Sequence, residues 1–147
     1  MIDVNVDSGL GPGKEFKITG SKSADYFGNF LSDAGDYNGD GLNDILIGAP
    51  QANGMTGAAY VIFGSKKPAS NIFLVDGLSS QQVFAFTSTS NYDLEGCAVS
   101  DAGDMNQDGT DDLLTSTYRG MTRPGATYLF YTPRIISVQY SIFIYFF

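Results

Sequence analysis

Along this chain the apolar residues come in short runs of strand length, rich in β-branched and aromatic side chains and punctuated by clusters of Gly, Asn, Asp and Ser. No stretch carries the 3.6-residue period of a long helix. The runs predict strands over 16–20, 27–32, 44–49 and 58–63, and then over 83–87, 96–100, 112–116 and 126–131. Their regular spacing is that of an antiparallel meander.

The second set repeats the first. Sliding the chain by 68 positions lays Asp25, Gly28, Ser32, Asp33, Ala34, Gly35 and Asp36 over Asp93, Gly96, Ser100, Asp101, Ala102, Gly103 and Asp104 without a gap. The register continues through Asn38, Asp40, Gly41, Asp44, Leu46, Gly57, Ala58 and Tyr60, which recur as Asn106, Asp108, Gly109, Asp112, Leu114, Gly125, Ala126 and Tyr128. Four short strands in about 60 residues, occurring twice, predict an all-β fold of antiparallel four-stranded blades, a β-propeller fragment of about two blades. A β-solenoid or sandwich is the alternative. The divisions expected are a first blade over 1–70, a second, degenerate blade over 71–134, and an apolar tail over 135–147. Such units bury their faces against neighbours and generally need three or more copies, so two blades read as a piece of a longer chain.

Composition narrows the chemistry. The 147 residues hold 8 Lys and Arg against 16 Asp and Glu, a net charge of −8. There is no histidine, which removes the commonest general base and any His-ligated zinc or haem. Cys97 is the one cysteine, so there is no intrachain disulfide and no CxxC site, and it reads as a small buried hydrophobe. So acidic a chain is a poor partner for nucleic acid. A divalent cation suits it better.

Each repeat has an acidic loop between its second and third predicted strands, from Asp36 to Asp44 and from Asp104 to Asp112. Oxygen-bearing side chains occupy positions 1, 3, 5 and 9, as Asp36, Asn38, Asp40 and Asp44 and as Asp104, Asn106, Asp108 and Asp112. Calcium takes six to eight hard oxygens in a flexible shell, and alternating Asp, Asn and Asp on a curling loop directs three side chains toward one centre. Glycine at position 6, Gly41 or Gly109, permits the sharp turn that brings a backbone carbonyl near position 7, from Leu42 or Thr110, to the ion. The spacing predicts one Ca²⁺ per loop, two in all. Solvated hairpin turns are the alternative, but the same spacing at the same place in a repeat argues for metal, since three converging negative charges repel without a cation.

These residues resemble the FG-GAP repeat of integrin α-subunit β-propellers and related surface proteins. In the first copy Phe27-Gly28 stands at the Phe-Gly, Gly48-Ala49-Pro50 at the Gly-Ala-Pro, and Gly57 to Gly64 at the third strand. The second copy has Glu95-Gly96 and Ser116-Thr117-Tyr118 at the first two places and keeps its acidic loop. The resemblance covers residues 3 to 132. It implies a seven-bladed propeller outside the cell or on its surface, calcium in hairpin loops as a structural element, and a role in adhesion or in binding a protein or glycan ligand. The other blades of a parent chain, or a second copy, would be partners.

Residues 1–7 place acid where a secretory leader needs a basic and then an apolar stretch, so no signal peptide is visible, and the chain reads as a piece whose leader lies elsewhere. The tail 135–147 is too short to span a bilayer. Tyr60, Phe63, Tyr128, Phe130 and Tyr131 are expected in the core, and Lys66-Lys67-Pro68 in a solvated loop. The loop from Arg119 to Pro124 is the better candidate for a partner contact. No residue pattern suggests catalysis, because Asp25, Asp33, Asp93 and Asp101 are best placed to cap turns. The competing functional readings are a non-catalytic propeller attached to a phospholipase-like or other secreted hydrolase, and an intracellular propeller with empty loops.

Overall fold

The computed structural model describes residues 17–66, 71–73, 82–90, 92–118 and 124–132. The apolar tail 135–147, Lys67-Pro68 and most of the loop after Tyr118 lie outside the described residues. The strands are β1 (Lys17–Thr19), β2 (Phe30–Asp33), β3 (Ile45–Ala49), β4 (Ala58–Ile62), β5 (Asn71–Phe73), β6 (Val83–Thr87), β7 (Ala98–Gly103), β8 (Asp112–Thr117) and β9 (Ala126–Phe130), with one short helical turn, α1 (Ala52–Met55). They form a four-stranded sheet in the order β2-β3-β4-β6 and a three-stranded sheet in the order β7-β8-β9, both antiparallel. A separate parallel pair joins β1 to β5. This is the all-β architecture of about two neighbouring propeller blades.

Six of the eight predicted strands begin and end within two residues of their expected bounds, and the later starts of the other two, β2 and β7, have a backbone cause. Gly28 and Gly96, the glycines of the Phe-Gly position, have φ of 84° and 78°. That conformation turns the chain, so neither strand can start at residue 27 or 96. At its other end β7 runs on to Gly103 through a bulge between Asp101 and Gly103.

The hydrogen bonding is out of phase with the sequence repeat. β6 belongs to the second copy in sequence, yet it closes the first sheet by pairing with β4, Phe86 opposite Ala59 and Phe84 opposite Val61. β1, its repeat counterpart, pairs with β5 instead. Covalent unit and hydrogen-bonded sheet are therefore offset by one strand.

β3 and β4 read as unbroken apolar runs because both of their faces are covered. Leu46, Ala59, Val61 and Phe86 meet Leu113 of the second sheet in one core, joined by Ala34 and Tyr37 and flanked by Phe63, Phe84, Val99 and Phe130. On the opposite face Ile47 and Ile62 pack with Ile18, Phe27, Tyr60 and Val83. Aromatic pairs fasten both layers, with Phe27 edge-on to Tyr60 at 5.7 Å and Phe84 edge-on to Phe86 at 4.9 Å. Tyr60, Phe63, Tyr128 and Phe130 are all at least half-buried as expected, but Tyr131 is 56% exposed, because it falls one residue beyond the end of β9. Cys97 is half-buried rather than sealed in, and its thiol donates to the Ser116 carbonyl at 3.3 Å.

Between the sheets, backbone meets backbone. An added Cβ on Gly48 would strike the Gly96 carbonyl oxygen, one on Gly57 the Glu95 amide, and one on Gly96 the Ala58 carbonyl oxygen. The Glu95 amide donates to the Thr56 carbonyl at 3.0 Å, and a parallel bridge links Gly57 to Glu95. The glycines of the Gly-Ala and Phe-Gly positions are thus what lets one sheet sit on the next.

Glu95 stands where the first copy has Phe27, and Thr115 where it has Ile47. An apolar contact has become a polar one, with the Thr115 hydroxyl donating to Glu95 Oε1 at 2.5 Å. Burial raises the Glu95 carboxyl above the ordinary glutamate range, against the pull of the Thr115 and Gly96 hydrogen bonds, and the neighbouring Asp93 charge adds to the rise. A carboxyl with a raised folded pKa stabilises the fold below its unfolded pKa, and that stability is lost as pH rises through the folded value. Glu95→Gln, which keeps the acceptor and removes the charge, is expected to stabilise the chain by about 1 kcal/mol at neutral pH. The gain should vanish in acid, which thermal melts of both proteins from pH 4 to pH 8 would reveal. A gain that persists at pH 4 would place its cause elsewhere.

Candidate functional site

Both acidic loops connect the first two strands of a sheet, β2 to β3 and β7 to β8, and both fold in the same way. In the first, Asp36 accepts two amides, Asp40 N on Oδ1 at 2.9 Å and Gly41 N on Oδ2 at 2.8 Å. In the second, Asp104 accepts Asp108 N at 3.0 Å and Gly109 N at 2.8 Å. Asn38 and Asn106 each accept the amide two residues on and donate their own amide group to the carboxylate of Asp40 or Asp108 at 3.0 Å. Asp40 and Asp108 accept the amides of Leu42 and Thr110. These local side-chain-to-backbone bonds are what Asp and Asn offer in preference to a strand ladder, and they curl the chain into a compact loop.

Position 9 behaves differently. Asp44 and Asp112 are buried, 1% and 0% exposed, and each is anchored from outside the loop. Gly64 N donates to Asp44 Oδ1 at 2.8 Å, and Thr132 N to Asp112 Oδ1 at 3.0 Å, both from the residue 20 positions on. The second oxygen faces back into the loop, taking the amide of Asn38 at 3.3 Å or of Met105 at 2.9 Å. Gly64 and Thr132 were not singled out by sequence. Their common 20-residue separation from an aspartate in both copies was the available signal.

Burial pushes the Asp44 carboxyl up to about 6, the Gly64 and Asn38 amides pull it down, and the charges of Asp40 and Asp36 push it up again. Two negative neighbours thus act on a buried carboxylate. Among the described residues no three His, Cys, Asp or Glu side chains are grouped closely enough to hold a metal ion. The convergence on one centre expected from spacing is therefore looser in the structure, because Asp36 and Asp40 are turned onto amides of their own loop.

Other candidates resolve simply. Asp33 and Asp101 each accept the amide two residues on, from Gly35 at 3.1 Å and Gly103 at 3.0 Å, and so cap the turns into the loops. Asp25 and Asp93 are buried and accept the hydroxyls of Ser21 and Ser88. Among the described residues no helix is long and apolar enough to cross a membrane.

The fold and paired loops define the class, an all-β chain of repeated antiparallel sheets with an acidic hairpin loop in each. Residues 31–62 match the FG-GAP repeat model, which spans β2, the first acidic loop, β3 and β4. The chain is 35% identical over 124 residues to integrin alpha pat-2 of Caenorhabditis briggsae, covering 76% of this chain and 10% of that protein. It is 30% identical over 124 residues to integrin alpha-5 of Xenopus laevis, covering 78% and 11%, and 36% identical over 87 residues to integrin alpha-X of Homo sapiens, covering 59% and 7%. The chain thus carries integrin-α-like FG-GAP repeat sequence. It spans about a tenth of the length of the curated relatives it matches.

Proposed function

We propose that this chain supplies two blades of an integrin-α-like propeller that works outside the cell as a ligand-binding or adhesion module, with a structural Ca²⁺ in each acidic loop and no catalytic role. The observation that carries this reading is the duplication of one loop geometry, with a buried and externally anchored aspartate closing each copy. Asp36, Asn38, Asp40, Asp44 and the Leu42 carbonyl would hold the first ion. Asp104, Asn106, Asp108, Asp112 and the Thr110 carbonyl would hold the second. All are hard oxygen donors of the kind calcium prefers, and the raised pKa of Asp44 between two like charges suits a cation at that place. Bound calcium would supply charge neutralisation and loop rigidity.

Further blades are the natural neighbours. Gly96 is seated on Ala58 of the adjoining sheet, whereas a Cβ on its counterpart Gly28 would meet none of the described residues within 4 Å. The Phe27-Gly28 side is therefore the face on which a preceding blade, or a second copy of the chain, would rest.

Calorimetric titration of the 147-residue chain with calcium tests the reading. Two ions per chain are expected, falling to one in Asp40→Ala and one in Asp108→Ala. A wild-type stoichiometry of zero, or two ions retained in both variants, would sink it.

A further inference from the structure

The two acidic loops touch each other. Position 8 of the second loop, Asp111, reaches across the sheet interface, and its Oδ2 accepts the backbone amide of Asp36 at 2.9 Å. Asp36 is the first residue of the first loop. The same carboxylate lies so close over Gly35 that any Cβ there would overlap it, and the Thr110 methyl is 3.4 Å from where a Cβ on Gly39 would be. Asp111 is itself held, since the Thr132 hydroxyl donates to its carbonyl at 2.6 Å. In the opposite direction Tyr37, position 2 of the first loop, is buried between the sheets with its ring 6.1 Å from Phe84 and 6.3 Å from Phe86, within reach of the Asp112 charge.

The residues that make both contacts differ in type from their counterparts in the other copy. The counterpart of Asp111 is Asn43, an exposed residue whose amide group turns to Asp33 of its own copy. The counterpart of Tyr37 is Met105, 60% exposed. Among the described residues, the cross-loop contact is made where the first copy meets the second. Fixing the Asp36 amide fixes the residue whose two carboxylate oxygens organise the rest of the first loop through Asp40 and Gly41.

We propose that Asp111 is a positioning residue through which the second acidic loop holds the first in its cation-binding shape, so that order in the second loop raises the affinity of the first. The affinity half of this statement rests on the calcium reading above. The positional half does not.

Two measurements on the full chain separate them. In Asp108→Ala, where only the first loop titrates, adding Asp111→Ala is expected to weaken calcium binding about tenfold, within the usual range for coupled sites. In Asp40→Ala, where only the second loop titrates, the same change should alter affinity less than twofold. Asp111→Asn, which keeps an acceptor for the Asp36 amide, should restore most of the loss. Equal losses in both backgrounds, or none in the first, would overturn the proposal. Amide exchange in chelator reads the position directly: Asp111→Ala should speed exchange at Asp36 about tenfold while β3 amides keep their rates. Unchanged exchange at Asp36 would overturn it as well. A wild-type chain that binds no calcium would refute the proposed function, and the exchange result would still decide whether Asp111 holds the loop.

Discussion

Gly96→Ala is expected to cost the fold about 3 kcal/mol or more, whereas Gly28→Ala, at the same place in the other copy, costs on the order of 1 kcal/mol. Both glycines have positive φ, 78° and 84°, so both substitutions carry the same left-handed backbone penalty. They differ in surroundings. A Cβ on Gly96 would drive into the Ala58 carbonyl oxygen, a backbone atom that cannot swing aside, while one on Gly28 would meet nothing within 4 Å among the described residues. Since domains of this size are stable by only about 5–15 kcal/mol, the larger loss should be visible as a marked drop in the denaturation midpoint. Urea melts of the two variants check this. Equal losses would mean that the sheets do not rest on each other at Gly96 as described.

Calcium removal should have an effect of similar size through a different route. Each ion bound to the native chain alone contributes about 2.7 kcal/mol at free calcium a hundred times its Kd. Two sites then add roughly 5 kcal/mol, which for a chain of this length raises Tm by roughly 10–20 °C. Differential scanning calorimetry in millimolar calcium and in excess chelator would show it. The loops are pre-folded by their own amide bonds, so circular dichroism should change little on chelation at low temperature. A Tm indifferent to chelator would argue that the loops are hairpin turns and nothing more.

Much of this was legible in the sequence because the repeat is written without gaps. The positions of β3, β4, β6, β8 and β9 follow from apolar runs, and the turn-capping of Asp33 and Asp101 follows from their chemistry. What escaped had no local signal. β5 is a three-residue strand that pairs with a segment more than fifty residues away, and α1 is a single turn whose Asn53 and Gly54 both have positive φ. Tertiary context placed them. The Glu95 burial was hidden because its partner Thr115 lies 20 residues on, in a position where the first copy has isoleucine. Asp111 was invisible for a related reason. The sign of its role is a departure from the repeat, Asn43 against Asp111, and a reading built on what the copies share passes over what distinguishes them.

The offset between sequence repeat and sheet has a consequence for modularity. The stretch that gene duplication would copy is not the stretch that closes a sheet, because β6 follows the repeat boundary and completes the structure before it. Cutting at residue 70 would leave β4 as a bare edge, with Val61 and Ile62 presenting unpaired backbone to any passing strand. The first sheet is thus finished by the copy that follows it. Such an arrangement makes a staggered joint of the two copies, in which loss of the second unlocks the first.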